Sequence, residues 1–157
     1  MATVAGSQPN LMDAINALIE LDFDAVEAYQ AAIDRLSGPD DKRNLAMFKG
    51  DHERHTRDLA EQARRLGGEP KQSGDFKAVL TKGKVILASI SGPKAILTAM
   101  RTNEDDTNKA YENAVSRTDL DEPLREVLHK NLSDERRHRA WIVQRLAQEE
   151  TTARPLP

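Results

Sequence analysis

The sequence predicts an all-α protein, an up-down-down-up four-helix bundle with a long crossover containing a short or broken helix. Four long stretches carry apolar residues at helical spacing, and glycine and proline fall between them. A third observation concerns the interior: each stretch places an acidic residue or histidine where its apolar stripe would normally hold leucine.

The first helix follows Ser7 and Pro9 and runs to about Leu36, where Ser37-Gly38-Pro39 stops it. The second runs from about Pro39 to Leu66 and ends at Gly67-Gly68. A connector from Gly67 to Gly92 contains Phe76, Val79, Leu80, Val85, Ile86 and Leu87 around Gly83, which predicts the short or broken helix. The third helix starts near Ser91-Gly92-Pro93 and reaches about Val115; Asp121 and Pro123 open the fourth, which extends to about Gln148. Short loops make the first and second helices one antiparallel hairpin and the third and fourth another, while the long connector lets the central two run parallel. The expected organisation is one domain over residues 8–148 and a disordered C-terminal tail over 149–157.

The interior positions follow from counting at about 100° per residue. Asp22 shares its face with Leu11, Ile15, Leu18 and Tyr29; His52 and His55 lie with Leu45, Phe48 and Leu59. Glu104 falls between Leu97, Met100 and Tyr111, and Glu135 and His138 among Leu128, Leu132 and Ile142. Asp22 precedes the first turn by about as many residues as His52 follows it, so at about 1.5 Å per residue the two share a height. Glu104 and Glu135 repeat this around the second turn. A buried, unpaired carboxylate either protonates, pairs or coordinates a cation, so the common layer is a candidate metal site. His129 falls on the opposite side of its helix from His138 and is expected at the surface.

Composition narrows the rest. With 157 residues, 4% of them aromatic and 31% charged, the chain suits one domain with a modest aliphatic core. A net charge of −3 with interspersed signs offers no footprint for nucleic acid. The absence of cysteine excludes disulfides, thiolate zinc sites and thiol catalysis. No apolar run approaches the roughly 18 residues of a membrane span, and the first residues do not resemble a signal peptide, so the expected address is cytoplasmic.

The two halves look like a duplication. Asp51-His52-Glu53-Arg54-His55 is repeated as Asp134-Glu135-Arg136-Arg137-His138, and Asp22 and Glu104 are each followed seven residues later by a tyrosine, Tyr29 and Tyr111. On these positions the chain resembles the ferritin-like superfamily, and within it an uncharacterised family of bacterial four-helix proteins, over about residues 8–148. In that superfamily a carboxylate on each of the first and third helices, with Glu-x-x-His on the second and fourth, binds a pair of iron or manganese ions. The resemblance implies that Asp22 and Glu104 are terminal carboxylates, Glu135 a bridging carboxylate, and His55 and His138 nitrogen ligands. It also implies that Tyr29 and Tyr111 stand behind the ligands, about two turns from the terminal carboxylates. His52 departs from the pattern by standing where the other bridging Glu belongs.

The implied function is a metal-binding protein for iron, or else manganese or zinc, with one ion or two, handling Fe(II) oxidation or peroxide and O₂. No catalytic residue is assigned, and the partners expected are metal ions and further copies of the chain, as a homodimer or higher homo-oligomer. The alternative is a metal-free network in which protonated His52, His55 and His138 balance Asp22, Glu104 and Glu135, within a redox-inactive, stress-related dimeric scaffold. Tyr29 and Tyr111 read equally as core residues with outward hydroxyls, and Phe23 and Trp141 lie to the side of their stripes, where a partner could bind. The basic, apolar connector is expected to pack across the bundle with its lysines in water, and it is a candidate dimer surface.

Overall fold

A computed structural model describes residues 4–74 and 91–152, and among these the only regular elements are four helices. They are α1 (Leu11–Arg35), α2 (Pro39–Arg65), α3 (Pro93–Val115) and α4 (Glu122–Thr152). The expected connector helix, including Phe76, Gly83 and Leu87, lies outside the described residues.

The helix boundaries have local causes. Asn10 caps α1 by accepting from the Asp13 amide at 3.1 Å, and Asp121 does the same for Leu124 at 3.1 Å at the start of α4. Pro39 and Pro93 occupy first-turn positions, where a missing amide hydrogen costs nothing. The end of α2 is a Schellman turn: the Gly68 amide bonds Ala63 O and the Gly67 amide bonds Arg64 O, both at 2.9 Å, with Gly67 at φ +80°. The fourth helix continues beyond Gln148 to Thr152, further than its sequence suggests. No glycine or proline interrupts it there; the Thr151 and Thr152 hydroxyls bond the carbonyls four residues back, and Glu149 pairs with Arg145.

Side-chain pairs fix the direction of each helix. Lys49 bonds Gln30 while His52 and His55 meet Asp22, so α1 and α2 are antiparallel. Along α3 and α4 the order is Lys94 with Glu150, Asp105 with Arg139 and Glu112 with Arg136, again antiparallel. Across the hairpins, Tyr29 meets Glu104 and Asp22 meets Tyr111, while Asp41 meets Arg145 and Arg65 meets Asp121. The helices therefore run up, down, down and up along the chain. Beyond α2, residues near Glu69 and Lys71 lie along α1, where Asn16 bonds the Glu69 carbonyl at 3.1 Å and the Lys71 amide at 2.9 Å.

Two apolar layers fill the interior. One gathers Ile15, Leu18, Leu59, Ala110, Leu124 and Leu128; the other gathers Tyr29, Leu45, Phe48, Leu97, Met100 and Ile142. On every helix the candidate polar residues fall between these two sets. Phe23 and Trp141 are half-buried against the same core, and Trp141 meets the Phe48 ring edge-on at 5.6 Å.

The segment before α1 straps onto the end of α3. Asn113 bonds the Ala5 carbonyl at 3.1 Å and Arg117 bonds the carbonyls of Gln8 and Pro9. Gly6 has φ +80°, and a Cβ there would lie 2.3 Å from the Ala110 carbonyl oxygen. Gly6→Ala is therefore expected to lower stability by about 1–3 kcal/mol through backbone strain and loss of this close approach. Urea denaturation of the variant beside the natural chain measures it, and an unchanged midpoint would mean that the strap contributes nothing.

Candidate metal centre

All six candidate ligands meet in one layer and are 0% exposed: Asp22 from α1, His52 and His55 from α2, Glu104 from α3, and Glu135 and His138 from α4. His52 Nδ1 lies 2.8 Å and His55 Nδ1 3.3 Å from Asp22 Oδ1. The same two nitrogens lie 3.4 and 3.1 Å from Glu135 Oε1. On the other side, Glu104 Oε1 is 3.6 Å from His52 Nε2 and 3.9 Å from His138 Nδ1. These atoms form two overlapping groups, Asp22/His52/His55/Glu135 and His52/Glu104/Glu135/His138, each within a span of 4.8 Å that could hold a metal ion. His129 is exposed, as its helical position predicts.

The surrounding residues bond across the two halves. Both tyrosines are fully buried and point their hydroxyls inward: Tyr111 donates to Asp22 Oδ2 at 2.6 Å, and Tyr29 donates to Glu104. Asn131 donates to the Tyr111 oxygen at 3.3 Å. At the α2–α4 seam, His138 Nε2 lies 2.9 Å from Asp51 and His55 Nε2 lies 3.3 Å from Asp134, so each motif's aspartate serves the histidine of the other. Arg54 and Arg137 each bond both aspartates and close this ring on the outside. The helical pattern alone does not reveal Asp51 and Asp134, since they flank the apolar stripe and are partly exposed. The repeated spacing Asp-x-x-Arg-His carries them in plain view.

These supports determine what the inner atoms offer. A histidine that donates Nε2–H to an aspartate presents the Nδ1 lone pair on its other side. In His138 that Nδ1 faces Glu104 and has no hydrogen-bond partner among the described residues; His52 Nε2, Glu104 Oε2 and both Glu135 oxygens share this condition. A buried layer in which lone pairs face carboxylates requires protons or a cation between them. The donor set of carboxylate oxygens and imidazole nitrogens suits iron, manganese or zinc.

Without metal, protons do part of this work. Burial alone would raise the Asp22 carboxyl, but hydrogen bonds from His52 and His55 outweigh it and bring it down to about 2. Burial would lower both histidines. Glu135 and Asp22 nevertheless hold His52 well above its ordinary value, and Asp134, Asp22 and Glu135 carry His55 to about 10. His138 goes the other way, to about 4, because of burial and the nearby His52 charge. Burial and the facing carboxylates keep Tyr29 and Tyr111 protonated well beyond the usual phenol range.

The described residues form four helices and no strand, with buried Asp, His and Glu groups able to hold a metal ion. The chain belongs to the family described as Domain of unknown function (DUF2383), whose model matches residues 10–117. That span includes Asp22, His52, His55 and Glu104 and stops before Glu135 and His138 of α4. Comparisons with curated proteins and with solved structures gave no match.

The opposite shifts of the histidines set a stability profile for the metal-free protein. His55 rises from 6.5 to about 10, so its contribution is complete below about pH 6.5 and is lost as pH climbs toward 10. His138 falls from 6.5 to about 4, so its contribution is complete above about pH 6.5 and is lost as pH drops toward 4. Asp22, lowered from 3.8 to about 2, adds a further loss between those values. Stability in the presence of a chelator should therefore peak near pH 6.5 and fall on both sides. Urea midpoints at pH 4.5, 6.5 and 9 test this, and a midpoint that rises from pH 6.5 to 9 would contradict the His55 assignment.

Proposed function

We propose that this chain is a ferritin-like metal-binding protein whose mid-helix cluster takes iron or a similar transition metal through Asp22, His52, His55, Glu104, Glu135 and His138. The observation that carries the reading is the set of buried nitrogen and oxygen atoms on His52, Glu104, Glu135 and His138 that have no hydrogen-bond partner among the described residues and converge from three helices. The up-down-down-up order of the helices supports a ferritin-like reading, as does the carboxylate–histidine layer, which departs from that pattern at His52. The reading takes the four helices as one domain that α4 carries past residue 148 to Thr152, in a cytoplasmic homo-oligomer. No helix among the described residues is long and apolar enough to cross a membrane.

The chain's own residues would divide the work. Asp22, Glu104 and Glu135 offset positive charge, His55 and His138 supply nitrogens oriented by Asp134 and Asp51, and the two aliphatic layers keep bulk water out. Tyr29 and Tyr111 hold the terminal carboxyl groups in place. Bound iron would supply redox capacity toward O₂ or peroxide.

Natural protein titrated with Fe(II) under anaerobic conditions, or with Mn(II) or Zn(II), should bind one to two ions. His55→Ala combined with His138→Ala should abolish tight binding, whereas His129→Ala should leave it unchanged. Asp51→Asn or Asp134→Asn should weaken binding about 10- to 100-fold, the usual effect of losing a carboxylate behind a ligating histidine. Equal binding by all these variants would show that the histidines are not ligands.

A second reading, a metal-free polar network in a stress-related dimeric scaffold, is favoured by one observation: His52 Nδ1 and His55 Nδ1 lie 2.8 and 3.3 Å from Asp22 Oδ1, where protonated rings would pair with the carboxylate directly. The same titration separates the two, because a scaffold of this kind binds none of the ions tightly. For the chemistry, stopped-flow absorbance of Fe(II)-loaded protein mixed with O₂ should show slow oxidation, and His52→Glu, which restores the second Glu-x-x-His, should accelerate it. Fast oxidation by the natural chain with no gain in the variant would refute this.

A further inference from the structure

We infer that His52 is a shared ligand whose Nδ1 serves one ion and whose Nε2 serves a second, so that an imidazole and the Glu135 carboxylate together bridge a two-ion site. This rests on the metal-binding reading above and specifies its form. Among the described residues, His52 and Glu135 alone belong to both groups that could hold a metal ion.

The histidine rings differ in what their two nitrogens face. His55 and His138 each turn Nε2 outward to an aspartate, so each has one nitrogen for the interior. His52 turns neither outward: Nδ1 lies 2.8 Å from Asp22 and Nε2 lies 3.6 Å from Glu104 without a hydrogen bond. Asp22 with His55 would complete one position, and Glu104 with His138 the other. Each end then has one carboxylate and one imidazole. The two Glu135 oxygens, both without hydrogen-bond partners among the described residues, leave one donor for each position.

The proton balance is simple. Any proton on a His52 ring nitrogen leaves to solvent as the ions bind, each freed lone pair takes one cation, and no electron is transferred. With a metal–nitrogen distance of about 2 Å on either side of the ring, the ions would stand about 6 Å apart, against about 3.5–4 Å in the usual two-metal sites.

The test uses the full chain and Cu(II) or Zn(II) as the probe, with folding of each variant checked by circular dichroism. Calorimetric titration with Zn(II) should show two binding steps in the natural protein. His55→Ala should weaken one by about tenfold or more, His138→Ala the other, and His52→Gln both. The Cu(II)-loaded natural protein should give the electron paramagnetic resonance signal of an exchange-coupled pair, which requires no variant. Two bound ions that are uncoupled, or a His52→Gln variant that weakens a single step, would overturn the shared ligand while leaving metal binding intact. One bound ion would do the same, and no binding at all would overturn the metal reading itself.

Discussion

Everything in this molecule answers to the cost of burying three carboxyl groups and three imidazoles between two aliphatic layers. An isolated ion in such a place is unfavourable by several kcal/mol, so each polar group needs a fixed partner or must change its protonation state. The rest of the interior serves that need. Asp22 has His52, His55 and Tyr111; Glu104 has Tyr29; His55 and His138 have aspartates behind them. The apolar layers do the complementary work, since the same burial that makes the polar groups costly strengthens every contact among them.

The supports run between hairpins more than within them. Tyr29 of the first hairpin holds Glu104 of the second, and Tyr111 of the second holds Asp22 of the first. Asp51 and Asp134 exchange histidines in the same way, with Arg54 and Arg137 closing the circuit. Neither hairpin alone satisfies its own polar residues, which couples formation of the site to docking of the halves. The ion pairs Asp41–Arg145 and Arg65–Asp121 flank the circuit along the same seam and fix the register of α2 on α4.

Much of this was legible in the sequence because the signals were local. Gly38-Pro39, Gly67-Gly68 and Gly92-Pro93 punctuate the chain, and a wheel is enough to find Asp22, His52, His55, Glu104, Glu135 and His138 among aliphatic residues. The expected end of α4 near Gln148 was too early, since the first breaker is Pro155 and threonine hydroxyls bonding back along the helix carry it to Thr152. The outer aspartates stood in the repeated motif, but their role behind the histidines was not legible for a different reason. Periodicity reports which face a residue takes on its own helix, and it is silent about which flanking carboxylate reaches a neighbour. Asn131, fully buried on the Tyr111 hydroxyl, was hidden likewise.

The unlike pair at the centre follows from the covalent joining of the halves. Two identical hairpins docked about a symmetry axis would have to present the same residue at both equivalent positions, two histidines or two glutamates. One continuous chain is free of that constraint, and it places His52 opposite Glu135. Linkage also makes the second hairpin available at high effective concentration, so the mismatch need not be compensated by tighter docking. The asymmetry of the core is thus something that two identical copies of one hairpin could not encode.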